Sequence, residues 1–446
     1  MKLRSARIVL LLLVVVMLAG CAPKKAAKTL NGVDISQYTI VYSQDAPDYC
    51  QRAAEYIQAQ IQKRAGVEIP VLTAASGTYA HEILVGDTDR ALSQDLNSKS
   101  RNMEFYFKAD ANHIAMNADY FIIAAAAYYF VETYIPGSNF QSTIASDEIT
   151  VAEPITEKAN NFIYLIGDGM GPNQTKLLEE YSIGEFAEDS DNEDIFYGYY
   201  LPYQGVIHTD SLSGVTDSAA GATALACGYK TINGYVGQDQ YGEPVQSLTE
   251  LAISLGKATA VMSTDQQTGA TPAGFSAHAM DRGDTDDILA CQQKLMLENG
   301  TLFECGLKAT SEYQLYITET LDQVSDHENG FFLMYEEGYI DKNSHNRNME
   351  ETLLSMGRFN QAIGIFMEYA FYHPDTFLII TADHETGGLR PNSEGKLEFS
   401  SSSHTGADVP IFGYGQGAEA FRDYSEQNNE VPKVIAKLWG VEDFGK

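Results

Sequence analysis

The stretch Val215-Thr216-Asp217-Ser218-Ala219-Ala220-Gly221-Ala222-Thr223-Ala224 places one serine, backed by an aspartate, at the head of a run of small residues. Ala219, Ala220, Ala222, Ala224, Leu225 and Ala226 favour helix, so a helix is predicted to start near Ser218. A serine in that place is ordinarily only a cap. Its chemical use is a hydroxyl at the positive end of a helix, where an anion can dock and an alkoxide is tolerated. Serine alone is a weak nucleophile and needs an activator. The chain offers one in scattered metal-ligand types. Asp341 and His345 are four apart, which one helical turn brings to one face. Asp383 and His384 are adjacent, and His404 sits in the polar run Ser401-Ser402-Ser403-His404-Thr405-Gly406. Carboxylate with imidazole suits zinc with positions left open for a substrate. Asp168, Thr271 and Glu336 offer oxygen only, which suits a harder ion such as magnesium. Two cations about 4 Å apart could grip the attacking and leaving oxygens of an in-line phosphoryl displacement. Coordination would also lower the pKa of Ser218.

These residues need a frame that brings them together. From about residue 158 apolar runs alternate with helical patterns, the signature of an α/β sheet with crossovers. Strands are predicted at 161–166, 258–262, 331–334, 376–381 and 411–414. Several run straight into Asp, Glu or His, and in such sheets functional residues gather past the C-terminal strand ends. Residues 31–155 read as a separate small α+β domain. Helices are expected at 49–64 and 121–134, strands at 38–42 and 82–85, and a hairpin of 103–108 with 113–116. That region holds no metal or acid-base constellation. Its pattern resembles the small α+β domain at the front of some bacterial carbohydrate-active enzymes, which implies an accessory or binding role.

Residues 1–20 read as an export signal: Lys2, Arg4 and Arg7, then an apolar core, then Leu18-Ala19-Gly20-Cys21. That ending resembles a bacterial lipoprotein signal, which implies a lipid on Cys21 and anchoring to the outer face of a membrane. Residues 21–30 read as a tether. Losing three positive charges with the signal takes the formal charge from −32 to −35. So acidic a surface argues against nucleic acid as a partner. Cys50, Cys227, Cys291 and Cys305 form neither a disulfide framework nor a zinc-finger spacing.

The segments 161–171, 216–228, 263–282, 331–345, 381–388 and 404–406, in this order, resemble those of the alkaline phosphatase family. The resemblance implies a three-layer α/β sandwich with a central, mostly parallel sheet over 158–446, preceded here by the small α+β domain. It implies hydrolysis of small phosphate monoesters through a phosphoserine on Ser218, two Zn2+ and one Mg2+, and a possible homodimer. Asp341, His345 and His404 then match the first zinc site. Asp168, Asp383 and His384 match the second, and Asp168, Thr271 and Glu336 the third metal. Arg282 matches the arginine that holds two phosphate oxygens in a bidentate fork, with Asp217 placed to orient it. Lys342 matches a position where some members carry Lys and others His, and can reach phosphate through water. Gly269 departs from the Asp or His of several members near the third metal. Thr386 departs from a His that supports a first-zinc ligand. Two other readings stay open: a relative acting on phosphodiesters or sulfate esters, and a surface glycan-binding protein with an inactive rear domain. His278 is expected to support its loop, and His208, His327 and His373 to be structural or exposed. Glu337 is expected to be a neighbour of the ligand Glu336, and the acidic run from Glu185 to Asp194 a solvated loop.

Overall fold

The computed structural model describes residues 27–96, 102–145, 148–180, 195–309 and 312–446. The expected signal, Cys21 and the acidic run from Glu185 to Asp194 lie outside the described residues. The chain divides into two compact units, the first ending at Ala152 and the second running from Glu153 to Lys446, with the short segment 100–104 assigned to the second.

In the first unit a six-stranded sheet runs Val71–Thr73, Thr39–Tyr42, Glu82–Val85, His113–Ala118, Phe105–Ala109, Thr150–Ala152. Its first four strands are parallel and its last two pairings antiparallel. Two helices, Asp48–Ala65 and Ile123–Tyr134, pack on each other and on the sheet. Ala53, Ala54, Ile57, Ile61 and Ala65 form the buried stripe of the first helix, at the spacing one helical face requires. The hairpin turns where the Asp110 carboxylate accepts from the N–H groups of Asn112 and His113, each at 2.7 Å. The tether expectation needs correction at its end. Lys28–Leu30 is a strand, parallel to Phe140–Ser142, and its Leu30 is fully buried. Backbone pairing on both sides, the buried Leu30 side chain and the Tyr38 hydroxyl donating to the Leu30 carbonyl at 2.9 Å hold it in place.

The second unit is built on an eight-stranded sheet. Its strands in chain order are β1 (Asn161–Gly167), β2 (Tyr203–His208), β3 (Ala258–Ser263), β4 (Leu302–Cys305), β5 (Phe331–Glu337), β6 (Thr376–Thr381), β7 (Val409–Tyr414) and β8 (Ser425–Gln427). The spatial order is β4-β3-β5-β1-β6-β7-β2-β8. The pairings from β4 to β6 are parallel, β7 runs antiparallel to both neighbours, and β2 is parallel to β8. β2, β4 and β8 escape a sequence reading because they lack a continuous apolar run; β8 is Ser-Glu-Gln.

Alternation along β5 shows that helices cover both faces. Phe331 packs on Tyr369, and Tyr335 on Phe359 and Phe366, all from the helix Met349–Tyr372. Phe332, one residue out of phase, meets Phe275 and Trp439 instead. This is an α/β three-layer sandwich. Register then aligns the strand ends. Ile166 lies level with Glu336 and Thr381, and Ser263 is also level with Glu336. The loops after β1, β3, β5 and β6 therefore open at one edge.

Candidate active site

The helix Ser218–Cys227 begins where its composition predicts, and all ten of its residues are buried. Asp217 is the N-cap, and its Oδ1 accepts from Ala220 N–H at 3.0 Å. The small residues let this helix approach the β6 loop closely. A Cβ on Gly221 would stand 3.1 Å from Asp383 Cβ. Ser218 is thereby aimed at that loop, its Oγ 3.1 Å from His384 Nε2.

Two groups of metal-ligand atoms converge there: Asp341 with His345 and His404, and Asp168 with Asp341 and His384. Asp341 thus belongs to both, while Asp383 Oδ2 lies 3.2 Å from His384 Nε2. Asp341 and His345 ride one short helix, Tyr339–His345, as their spacing requires. His404 arrives by a different route. Glu385–Thr386 and His404–Thr405 pair as a small antiparallel ribbon with Thr386 opposite His404. Buried Glu385 ties this excursion down, accepting from Gln174, Gly388, Leu389 and Thr405. Glycine is needed at 169: its φ is +79°, and a Cβ would stand 2.8 Å from Asp341 Cα.

The protonation pattern tests whether these residues fit cations. His345 Nδ1 donates to the Ser402 carbonyl at 2.7 Å, and His404 Nδ1 to the Thr216 carbonyl at 2.8 Å. In the neutral rings both lone pairs are therefore at Nε2, and these two atoms face each other at 3.0 Å. Asp341 Oδ1 stands 3.3 and 3.4 Å from them. The Thr386 hydroxyl donates to Asp341 Oδ1 at 2.5 Å, so it can only accept from His384 Nδ1, 3.2 Å away. That leaves His384 Nε2 unprotonated as well. Asp168 Oδ1 and Asp383 Oδ2 are buried with no hydrogen-bond donor. Burial, reinforced by neighbouring carboxylates, pushes Asp168 well above the usual carboxylate range, and burial with Asp341 takes Asp383 to about 7. Asp341 is held well below its ordinary value: burial opposes ionisation, but His404, His384, Thr386 and His345 outweigh it. Converging lone pairs and orphaned carboxylate oxygens are the donor set a divalent cation takes, so the residues fit such an ion.

Glu336 lies beside Thr271 and near Asp168. Burial pushes Glu336 up to about 8; Ser263 and Thr271 oppose the shift, and Asp265 and Asp383 add to it. Glu337 points away, as strand alternation dictates. Its two oxygens take Arg358 Nε and Nη2 at 2.6 and 2.7 Å. The partly exposed Arg282 has Nη1 3.5 Å from Asp217 Oδ2, and that same oxygen accepts from Gly234 N–H at 3.0 Å. Lys342 pairs with Asp265 and lies over the Tyr339 ring. Asp265 was not among the expected site residues; a carboxylate in the loop after β3 was its only signal. His278 holds Gly237 O and Glu250 outside the ligand groups, His208 pairs with Asp408, and His373 stacks on Tyr369. Among the described residues, Cys50, Cys227, Cys291 and Cys305 form no disulfide.

A serine at a buried helix head, faced by paired ligand groups at the end of a mostly parallel sheet, defines a metallohydrolase type of site. A profile of the alkaline phosphatase family matches residues 159–309 and 309–396, more than half of the chain, and the chain belongs to that family. It is 27% identical over 298 residues to alkaline phosphatase 3 of Bacillus subtilis, a match spanning 54% of this chain and 64% of that one. The chain thus spans a little under two thirds of that curated relative. The solved alkaline phosphatase of the Antarctic bacterium TAB5 superposes with a TM-score of 0.53 at 26% identity, over 66% of this chain and 100% of that one. A histidine-to-glutamate variant of the same enzyme, described with Mg bound in its M3 site, superposes with a TM-score of 0.53 at 25% identity, over the same shares of the two chains.

Proposed function

We propose that this chain hydrolyses small phosphate monoesters through a phosphoserine on Ser218. The observation that carries the reading is the Ser218 hydroxyl, 3.1 Å from His384 Nε2 at the head of a buried helix and beside two convergent ligand groups. Asp341, His345 and His404 would hold one zinc, and Asp168, Asp383 and His384 a second; Asp168, Thr271 and Glu336 would hold magnesium. Bound there, the cations would supply Lewis acidity toward phosphate oxygens and would favour ionised Ser218. The chain's own part is positional. The helix head offers N–H groups and a positive end to an anion. Arg282, steadied by Asp217, presents a planar fork to two phosphate oxygens. Ser218 Oγ forms the bond to phosphorus as the alcohol leaves, and water then releases phosphate and restores the serine. Family membership and the magnesium bound by the TAB5 variant support the metal reading. The leader ending in Cys21 supports an exported, lipid-anchored placement.

The test is hydrolysis of p-nitrophenyl phosphate by the protein from residue 22 onward, with zinc and magnesium, beside Ser218→Ala. Turnover is expected to vanish in the variant and with chelator, and zinc to restore it in the parent. Phosphoserine trapped at residue 218 and read by mass spectrometry would identify the intermediate. Turnover of a diester or a sulfate ester in place of the monoester would overturn the reading in favour of a related esterase. Zinc-free, inactive protein would favour a binding protein.

A further inference from the structure

The oxygen-only site is short of a side chain at Gly269, and the structure has a carboxylate in that space. An ideal Cβ on Gly269 would fall 2.8 Å from Asp265 Oδ2 and 2.9 Å from the Gln266 carbonyl. A larger residue at 269 and the present Asp265 rotamer therefore compete for one volume. Asp265 is also held beside Glu336. The Ser263 hydroxyl donates to Glu336 Oε2 and accepts from the Asp265 backbone N–H at 2.8 Å, so one hydroxyl ties the Glu336 carboxylate to the Asp265 main chain. A Cβ on Gly338 would lie 3.1 Å from Asp265 Cβ and 3.5 Å from Glu336 Oε1, so the two side chains flank the same point. The Thr271 hydroxyl, 1% exposed, lies beside Glu336 without a hydrogen bond of ordinary geometry. The two oxygens of Asp265 face different ways: Oδ1 pairs with Lys342, and Oδ2 turns toward the Gly269 gap.

We infer that Asp265 supplies the carboxylate that Gly269 does not, serving the third cation from Oδ2 while Oδ1 holds Lys342 beside the same site. This rests on the reading of Asp168, Thr271 and Glu336 as ligands of that cation. The competing account makes Asp265 a partner of Lys342 and nothing more. The two accounts differ in sign. A ligand role makes the Lys342 ammonium a rival of the cation for Asp265, so its removal keeps or tightens magnesium binding.

The experiment is calorimetric titration of magnesium into zinc-loaded parent, Asp265→Asn and Lys342→Met, with zinc content read by elemental analysis. Asp265→Asn is expected to weaken magnesium about tenfold or more with zinc content unchanged, while Lys342→Met binds magnesium at least as tightly as the parent. Asp265→Ser serves as a second variant if the first does not fold. Parent-like magnesium affinity in Asp265→Asn overturns the inference. So does equal weakening in both variants, or a zinc-loaded parent that takes up no magnesium. Hydrolysis of p-nitrophenyl phosphate by the parent is scored separately, so failure of the phosphatase reading is distinguished from failure of the Asp265 assignment.

Discussion

Thr386 donates to Asp341 at 2.5 Å while its oxygen stands 3.2 Å from His384 Nδ1. One hydroxyl so fixes a carboxylate shared by both ligand groups and the tautomer of an imidazole in one of them. Thr386→Val keeps the shape and removes both bonds. It is expected to weaken zinc binding about 10- to 100-fold. Competition with a chromophoric chelator reads the affinity, and activity should return at high zinc. Unchanged zinc affinity would show that the hydroxyl does not position the ligands.

Arg282 and Asp217 give a second prediction. Arg282→Ala should weaken inhibition by inorganic phosphate about tenfold or more, since a charge-assisted fork is lost. Asp217→Asn retains a good helix cap and so should leave Tm nearly unchanged. It removes the charge 3.5 Å from Arg282 Nη1 and should raise KM. A fall in Tm with KM unchanged would assign Asp217 to capping alone.

Stripping the metal should expose a pH dependence. In the metal-free fold Asp383 is raised to about 7 and Glu336 to about 8, and Asp168 is raised as well, in each case by burial first. The folded chain then holds protons that the unfolded chain has released above its ordinary carboxylate pKa of about 4, so stability falls as pH rises toward the folded values. His384, kept neutral by burial, works in the opposite sense only below about pH 6.5. The Tm of chelator-treated protein should therefore drop between about pH 6.5 and 8, and that of metal-loaded protein much less. A rising Tm in that window would contradict the carboxylate assignment.

The ion pair behind the site predicts a stability effect. Glu337 is fully buried and bidentate to Arg358. Arg358→Met leaves a buried carboxylate without its partner and should cost about 3–5 kcal/mol. The double variant with Glu337→Leu should recover much of the loss in denaturant titrations. No recovery would mean that Arg358 acts through packing instead.

Much of this was legible in the residues. Ser218 heads its helix, the parallel strands β1, β3, β5 and β6 fall where their apolar runs lie, and Asp341 and His345 share one helical turn as their spacing predicts. The rest depended on contacts remote in sequence. His404 was itself a candidate, but the two-residue ribbon that carries it to the site is too short to show a pattern. Asp265 gains its meaning only from the gap at Gly269, and the polar edge strand β8 looks like loop. The choice between Glu336 and Glu337 needed the strand's phase, which Phe332 and Tyr335 set by packing on opposite faces of the sheet, on Phe275 and on Phe366.

That phase has a consequence for how such a chain can change length. Loss of one residue between Phe331 and Tyr335 would put Glu337 where Glu336 faces Thr271 and Glu336 where Tyr335 packs on Phe359 and Phe366, leaving Arg358 without Glu337. Both defects would come from one event, and neither could be repaired by a single point substitution. A change of length is expected to be tolerated better in a stretch such as 392–396, where the hairpin Leu389–Pro391 with Leu397–Phe399 turns in solvent. Such a turn can change length without altering which face a side chain takes, whereas the strand β5 cannot.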